Sequence, residues 1–403
     1  MSRAFTILLA LLIAGFFFVG GQHQRNWLLY VAAAAAHGFL FDRRTLCNAF
    51  AGRAGWTVPV LLAIPLLSLT WSGPIAGDVA ADMVLAAYCI LLVYLGVAHL
   101  AGNAPWAFER FQQALLLGAN LGALLSLGHW AATYSPEWPR LPGWLGLDNP
   151  VHASVLLLAA TLPVCTGIAQ GRLRLPWMGA CALPVAFVLL AGPRTALVAY
   201  VIVIAFVFRP RLRPRTMLAG AVVLGLAGGA ALFGSDALRA IWIGRGLSFR
   251  PEIWSQAWSA FLSCNPLIGC GVASPLEVEY LPGTVTDRAH SLYVAAIYHQ
   301  GLLGAAVFLV AMAWLLWCVR GRAVAAPAAS TRKPLSAWRI PLPGQRRDWA
   351  VVLVYVLLAS TTSGDHILVR TTLFWCYFWL PVMVLAASTT ALSERENSPA
   401  VPA

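Results

Sequence analysis

Long, uninterrupted apolar runs separated by short polar connections constrain this chain more than any other feature. Lipid offers the backbone no hydrogen bonds, so a segment that crosses a bilayer must be a helix or part of a closed barrel. Barrel strands alternate apolar and polar residues, whereas the runs here are continuous, which selects helices. Composition agrees, at 60% hydrophobic and 10% charged over 403 residues. A water-soluble domain cannot cover that much apolar surface. The expected fold class is an all-α polytopic membrane protein.

Runs of about 15–22 residues taken as spans give about twelve transmembrane helices. They lie near 4–20, 27–41, 55–71, 79–100, 113–133, 151–170, 175–192, 195–208, 216–234, 290–318, 349–362 and 367–388. Only Pro193-Arg194 separates the seventh from the eighth, which form either a tight hairpin or one broken helix. Arg3 followed by the apolar stretch Phe5 to Val19 mimics a signal peptide. No small-x-small cleavage site clearly follows it, so a retained first helix is expected.

Charge sets the orientation. With the N-terminus in the cytoplasm, 19 of the 27 Lys and Arg residues fall on that side and eight on the other. The acids divide the opposite way, five inside and ten outside. This is the positive-inside bias, so both termini are expected in the cytoplasm. The net charge of +12 sits in short clusters between spans, as topology signals do, and no nucleic-acid partner is expected. The cytoplasmic segment 319–348, basic and rich in Pro and Ala, reads as a loose connection against anionic membrane lipid.

The chain thus divides into 1–234 with nine helices, an exterior loop over 235–289, and 290–403 with three helices. A second, shorter exterior segment spans 134–150 and carries Trp138, Trp144, Asp148 and Asn149. In the large loop, Trp254, Trp258 and Phe261 are spaced for one face of a short amphipathic helix at the membrane interface. Cys264 and Cys270 share that loop, where a disulfide is chemically allowed; the sequence leaves their pairing open. The other six cysteines lie in or beside spans and read as small apolar residues.

Four arginines stand at span boundaries or loops on the exterior side: Arg194, Arg250, Arg288 and Arg370. Charge there is costly and needs a partner. Each alone can snorkel to lipid phosphate. Four together, on the face where the positive-inside rule disfavours them, suit a lipid diphosphate, whose oxygens match the paired donors of a guanidinium. His290 stands where the large loop becomes the tenth span. It either caps the helix or takes a proton from an attacking hydroxyl. His152, after Asp148-Asn149-Pro150, can hydrogen-bond substrate or cap its helix, and Asp365 and His366 precede Arg370. His299 reads as a packing residue within the tenth span. There is no Gly-rich phosphate loop with Lys, no His-Glu-x-x-His, no zinc-ligand set, and no carboxylate pair early in an exterior loop. A metal-independent reaction without a cofactor is expected.

The motifs Ala191-Gly192-Pro193-Arg194-Thr195-Ala196-Leu197, Arg250-Pro251-Glu252-Ile253-Trp254, Asn265-Pro266-Leu267-Ile268-Gly269-Cys270-Gly271 and His290-Ser291-Leu292-Tyr293 follow in that order. Gly301-Leu302-Leu303-Gly304 comes eight residues after Tyr293. In this order and spacing the chain resembles the O-antigen ligase family, which shares a superfamily with O-antigen polymerases and bacterial protein O-oligosaccharyltransferases. The resemblance implies a glycosyltransferase of lipopolysaccharide biosynthesis in the bacterial inner membrane. Its large loop would be periplasmic and contain short helices. It would move a glycan from undecaprenyl diphosphate onto a sugar hydroxyl of lipid A–core, inverting the anomeric centre by in-line displacement. Carried over by motif, Arg194 and Arg250 would bind the diphosphate and His290 would be the base. Arg288 joins them because it lies two residues from His290, while Asp365 and Arg370 match the last exterior connection only loosely. Gly192-Pro193 stands where the family usually has small polar residues.

Three alternatives stand beside this reading. A polymerase would use another lipid-linked glycan as acceptor and often has two large exterior loops, whereas one dominates here. Protein-glycosylating relatives are usually longer, with an additional C-terminal domain. A transporter of lipid-linked anions would need charge at mid-depth, and these spans are nearly free of it.

Overall fold

A computed structural model describes residues 2–73, 77–104, 106–135, 140–211, 234–242, 249–281, 283–320, 346–364, 367–368 and 372–397. Nearly all of the expected ninth span, most of the basic connection 319–348, and Asp365, His366 and Arg370 lie outside the described residues. In chain order the α-helices are α1 (Ser2–Phe18), α2 (Gln22–Ala36), α3 (Arg43–Phe50), α4 (Thr57–Ser68), α5 (Gly77–Asn103), α6 (Trp106–Thr133), α7 (Pro150–Ala169), α8 (Ala182–Ala191), α9 (Arg194–Phe208), α10 (Asp236–Trp242), α11 (Arg250–Leu262), α12 (Leu292–Arg320), α13 (Arg346–Ala359) and α14 (Leu380–Asn397). A π-helical turn, Trp375–Trp379, leads into α14.

This is a helical integral membrane protein. Among the described residues four helices, α5, α6, α7 and α12, are long and apolar enough to cross a membrane. A fifth candidate is a bent pair, Arg43–Phe50 with Arg53–Ser68, whose halves meet at 92°. The sequence reading treated residues 42–54 as a simple connection. Instead Asp42 accepts a hydrogen bond from the Arg44 N–H at 3.1 Å and starts α3 there.

Helix α7 is apolar on every side and buried from Ala153 to Ile168, as a helix without a polar face must be. Its start is well specified: Pro150 occupies the first turn and the Asn149 side chain accepts from the N–H groups of Val151 and His152. Around it, small residues let helices approach closely. A Cβ at Gly96 or Gly118 would overlap the ring of Phe5 or Phe17 from α1, and such packing is what joins helices in lipid.

Long-range bonds fix the helix directions. Beyond the end of α7, Arg172 pairs with Asp348 at the start of α13 at 2.7 Å, and Thr166 donates to the same carboxylate at 2.6 Å. At the opposite end of the bundle, the Leu292 N–H donates to the Ser360 carbonyl at 3.0 Å, joining the start of α12 to the end of α13. The last turn of α8 is held at that same end by the segment leading to α7, through Leu141 N–H to the Leu190 carbonyl at 3.1 Å and Arg140 Nε to the Ala191 carbonyl. The chain then turns at Gly192, whose φ of 70° is left-handed, and begins α9. The starts of α7, α9 and α12 therefore share one end of the bundle, called the loop end below.

The loop before α12 differs from expectation in two ways and settles one open pairing. Helix α11 forms where the aromatic spacing placed it, but its buried face is Ile253, Ala257 and Phe261, and Trp258 remains 49% exposed. A small antiparallel hairpin, β1 (Val278–Leu281) and β2 (Thr284–Thr286), follows it. Alternation around Gly283, at φ 76°, permits that turn. Cys264 and Cys270 form a disulfide, which resolves the pairing left open.

A third difference lies in α12. The tenth span reads as one apolar helix over 290–318, yet its backbone breaks at Gly301 (φ 69°, ψ −174°). The Pro266–Gly271 loop fills the break. Leu302 and Leu303 donate to the carbonyls of Pro266 (2.9 Å) and Leu267 (3.0 Å), while Cys270 and Gly271 donate to those of Tyr298 and His299, both at 2.8 Å. Backbone groups orphaned by the break thus find partners in the loop. The loop docks in turn beyond α4, where Trp71 Nε1 donates to the Ile268 carbonyl at 3.0 Å and Ser68 Oγ accepts from the Val272 N–H at 3.0 Å.

Candidate active site

His290 lies at the loop end, two residues before α12. Its φ of 51° is left-handed, a conformation that costs a residue with a Cβ about 1–3 kcal/mol unless its surroundings enforce it. They do so from both sides. Trp254 Nε1 on α11 donates to the Ala289 carbonyl at 3.0 Å, and the Leu292 N–H is tied to Ser360. Helix α11 is itself rigidly seated, because Ile253, Ala257 and Phe261 pack in one cluster with Ala289, Ala295 and Tyr298. Trp254, expected at the lipid interface, instead pins the backbone that presents His290.

Arg250 is the first residue of α11 and half-buried, so the same seating positions its guanidinium. Arg288 is more exposed and lies 3.6 Å from the Asp287 carboxylate; screening by water keeps that pair weak. Burial, then the charges of Arg250 and Arg288, hold the His290 imidazole below its ordinary range near 6.5, and Asp287 opposes them. The ring is therefore neutral at pH 7 and able to accept a proton. An anion bound by the arginines would cancel part of their charge and raise the basicity of His290 once substrate is in place.

His152, on the first turn of α7, completes the group. Its Nδ1 lies 2.6 Å from the Tyr377 hydroxyl, and its ring is within electrostatic reach of Arg288 and His290. Four residues singled out in the sequence, His152, Arg250, Arg288 and His290, are thus gathered at one place. Arg194 opens α9 at the same loop end and is exposed. His299 behaves as a packing residue, with Nδ1 3.0 Å from the Gly271 carbonyl. Tyr377 went unnoticed in the aromatic run Phe374–Trp379. The available signal was its hydroxyl, which needs a partner when buried among apolar rings. Among the described residues no group of three or more His, Cys, Asp or Glu is arranged to hold a metal ion.

Two comparisons with known proteins bear on this geometry. Residues 179–309 match a family model described as O-antigen ligase. The chain is also 26% identical over 385 residues to an O-antigen ligase of Pseudomonas aeruginosa, covering 93% of this chain and 88% of that protein. Both findings bear out the resemblance carried by the motifs. The matched stretch contains Arg194, Arg250, Arg288 and His290.

Proposed function

We propose that this chain, similar over nearly its whole length to an O-antigen ligase, catalyses that reaction: a glycosyl transfer in lipopolysaccharide biosynthesis. The donor is a glycan on undecaprenyl diphosphate and the acceptor a sugar hydroxyl of lipid A–core. His290 takes the acceptor proton as the hydroxyl attacks the anomeric carbon. Arg250 and Arg288 hold the diphosphate and stabilise the charge it gains as the glycosidic bond breaks, with Arg194 assisting from the start of α9. Attack and departure on opposite faces of the sugar invert the anomeric centre. The chemistry uses protein groups alone, without a metal.

The observation that supports this most is the cluster of Arg250, Arg288 and a neutral, half-buried His290 within the matched stretch. The charge bias of the connections favours an inner-membrane protein with both termini cytoplasmic, which puts 235–289 and the site in the periplasm.

The test is purified protein in liposomes with an undecaprenyl-diphosphate glycan, offered rough lipopolysaccharide and additional lipid-linked glycan as separate acceptors. Transfer to lipid A–core, unchanged in EDTA, is expected. Lengthening of lipid-linked chains would make the enzyme a polymerase, and no transfer with any of several glycans would overturn the reading.

A further inference from the structure

The ring of His152 has one side-chain hydrogen-bonding partner among the described residues. Its Nδ1 lies 2.6 Å from Tyr377 Oη, and the two rings are stacked 19° from parallel with centroids 6.0 Å apart. Either Tyr377 donates its O–H to Nδ1 or Nδ1–H donates to the hydroxyl, and the tautomer of the ring decides which. Where the hydroxyl donates, the proton of the neutral imidazole sits on Nε2. No partner for that N–H appears among the described residues.

The pair is built into the fold from both sides. Tyr377 is 1% exposed and sits on the π-helical turn Trp375–Trp379, with Phe374 edge-on at 5.4 Å. Turns of this kind are rare and recur at functional sites. His152 is fixed from its backbone side by Asn149. Within electrostatic reach of the ring are Arg288, which brings positive charge to it, and the neutral His290. Such an environment suits an anion with several acceptor oxygens. Neither His152 nor Tyr377 belongs to the stretch that matches the family model.

We propose that Tyr377 is a positioning residue that fixes His152 as the Nε2–H tautomer, so that His152 donates a hydrogen bond to a phosphate oxygen of the lipid diphosphate beside Arg288. This rests on the reading of the site as a diphosphate-dependent transferase.

The experiment has a spectroscopic and a kinetic arm. Full-length protein labelled with ¹⁵N-histidine is placed in nanodiscs, and the His152 resonances are assigned with His152→Gln. Wild type should show an unprotonated Nδ1 and a protonated Nε2 that shifts when undecaprenyl diphosphate is added. Tyr377→Phe should give a mixture of tautomers. In transfer assays Tyr377→Phe should raise KM for the lipid-linked glycan about ten-fold, with a smaller change in kcat. In the His152→Gln background, where an amide donor replaces the imidazole, the same substitution should change KM less than about two-fold. An Nδ1–H tautomer in wild type, or equal effects of Tyr377→Phe in both backgrounds, would overturn the proposal and leave Tyr377 a packing residue. If wild type transfers no glycan while its spectra keep the Nε2–H form and respond to undecaprenyl diphosphate, the transferase reading falls and the anion site stands.

Discussion

Exchanging His290 for alanine removes an imidazole and little packing, because the side chain is only half-buried. Glycan transfer should fall by about 10²–10⁴-fold with an unchanged melting temperature; wild-type turnover would remove His290 from its role. The pH profile carries a sign. In the free protein a base held below 6.5 by burial and two arginines is active when neutral, so kcat/KM should fall as pH drops through a midpoint below that value. A midpoint above it would mean that the imidazole does not sit among these charges. Arg250→Lys keeps the charge and loses the fork of paired donors, so kcat/KM should drop about 10–100-fold; full activity would make Arg250 a lipid anchor. His290 and Arg250 could be picked out from sequence because each stands at a boundary where charge or imidazole calls for a reason. Their proximity could not, since 40 residues separate them. Tyr377, 225 residues from its partner His152, gave no local signal beyond one hydroxyl in an aromatic run.

The break in α12 is set by what packs into it. Gly301 has a left-handed φ, and a Cβ there would overlap the Leu267 carbonyl and the Gly269 amide. Gly301→Ala should therefore destabilise the protein by at least about 1–3 kcal/mol and reduce transfer, because it displaces the loop wedged into the helix that follows His290. Gly128→Ala is the matched control: its Cβ would meet nothing within 4 Å, and in a helix alanine is favoured over glycine by about 1 kcal/mol. Thermal shift and transfer rates on both variants check the contrast, and equal behaviour would sink it. Periodicity sufficed to place α11, since its apolar residues recur at helical spacing. It could not place the break, because Gly301-Leu302-Leu303-Gly304 continues an apolar run and the cause lies in carbonyls some 35 residues upstream. The hairpin was hidden for a related reason: strands of four and three residues are too short for alternation to stand out.

Chemistry and anchoring occupy opposite ends of the bundle. Asp348 is fully buried against Arg172 and Thr166, far along α7 from His152. Removing one partner of a buried pair strands the other, so Asp348→Asn should lower stability by about 3 kcal/mol. In the molecules that remain folded, kcat/KM should stay at the wild-type value; a selective loss of turnover would show that the two ends are coupled. Apolar run length was enough to recognise a helical membrane protein, because lipid leaves the backbone few choices. The way α7, α9, α12 and α13 bring their ends together was not, because it depends on single side-chain bonds between distant residues. The docking of the Pro266–Gly271 loop beyond α4 has a consequence for how the enzyme is made. Ser68 and Trp71 leave the ribosome roughly 200 residues before the backbone groups they hold, which lie 204 and 197 positions away. The early part of the chain must wait in the membrane with that docking surface open. Docking on Ser68 can begin only when Val272 has been synthesised, and the docked loop is complete only when Leu303 joins it to α12, so this part of the fold closes late in the birth of the molecule.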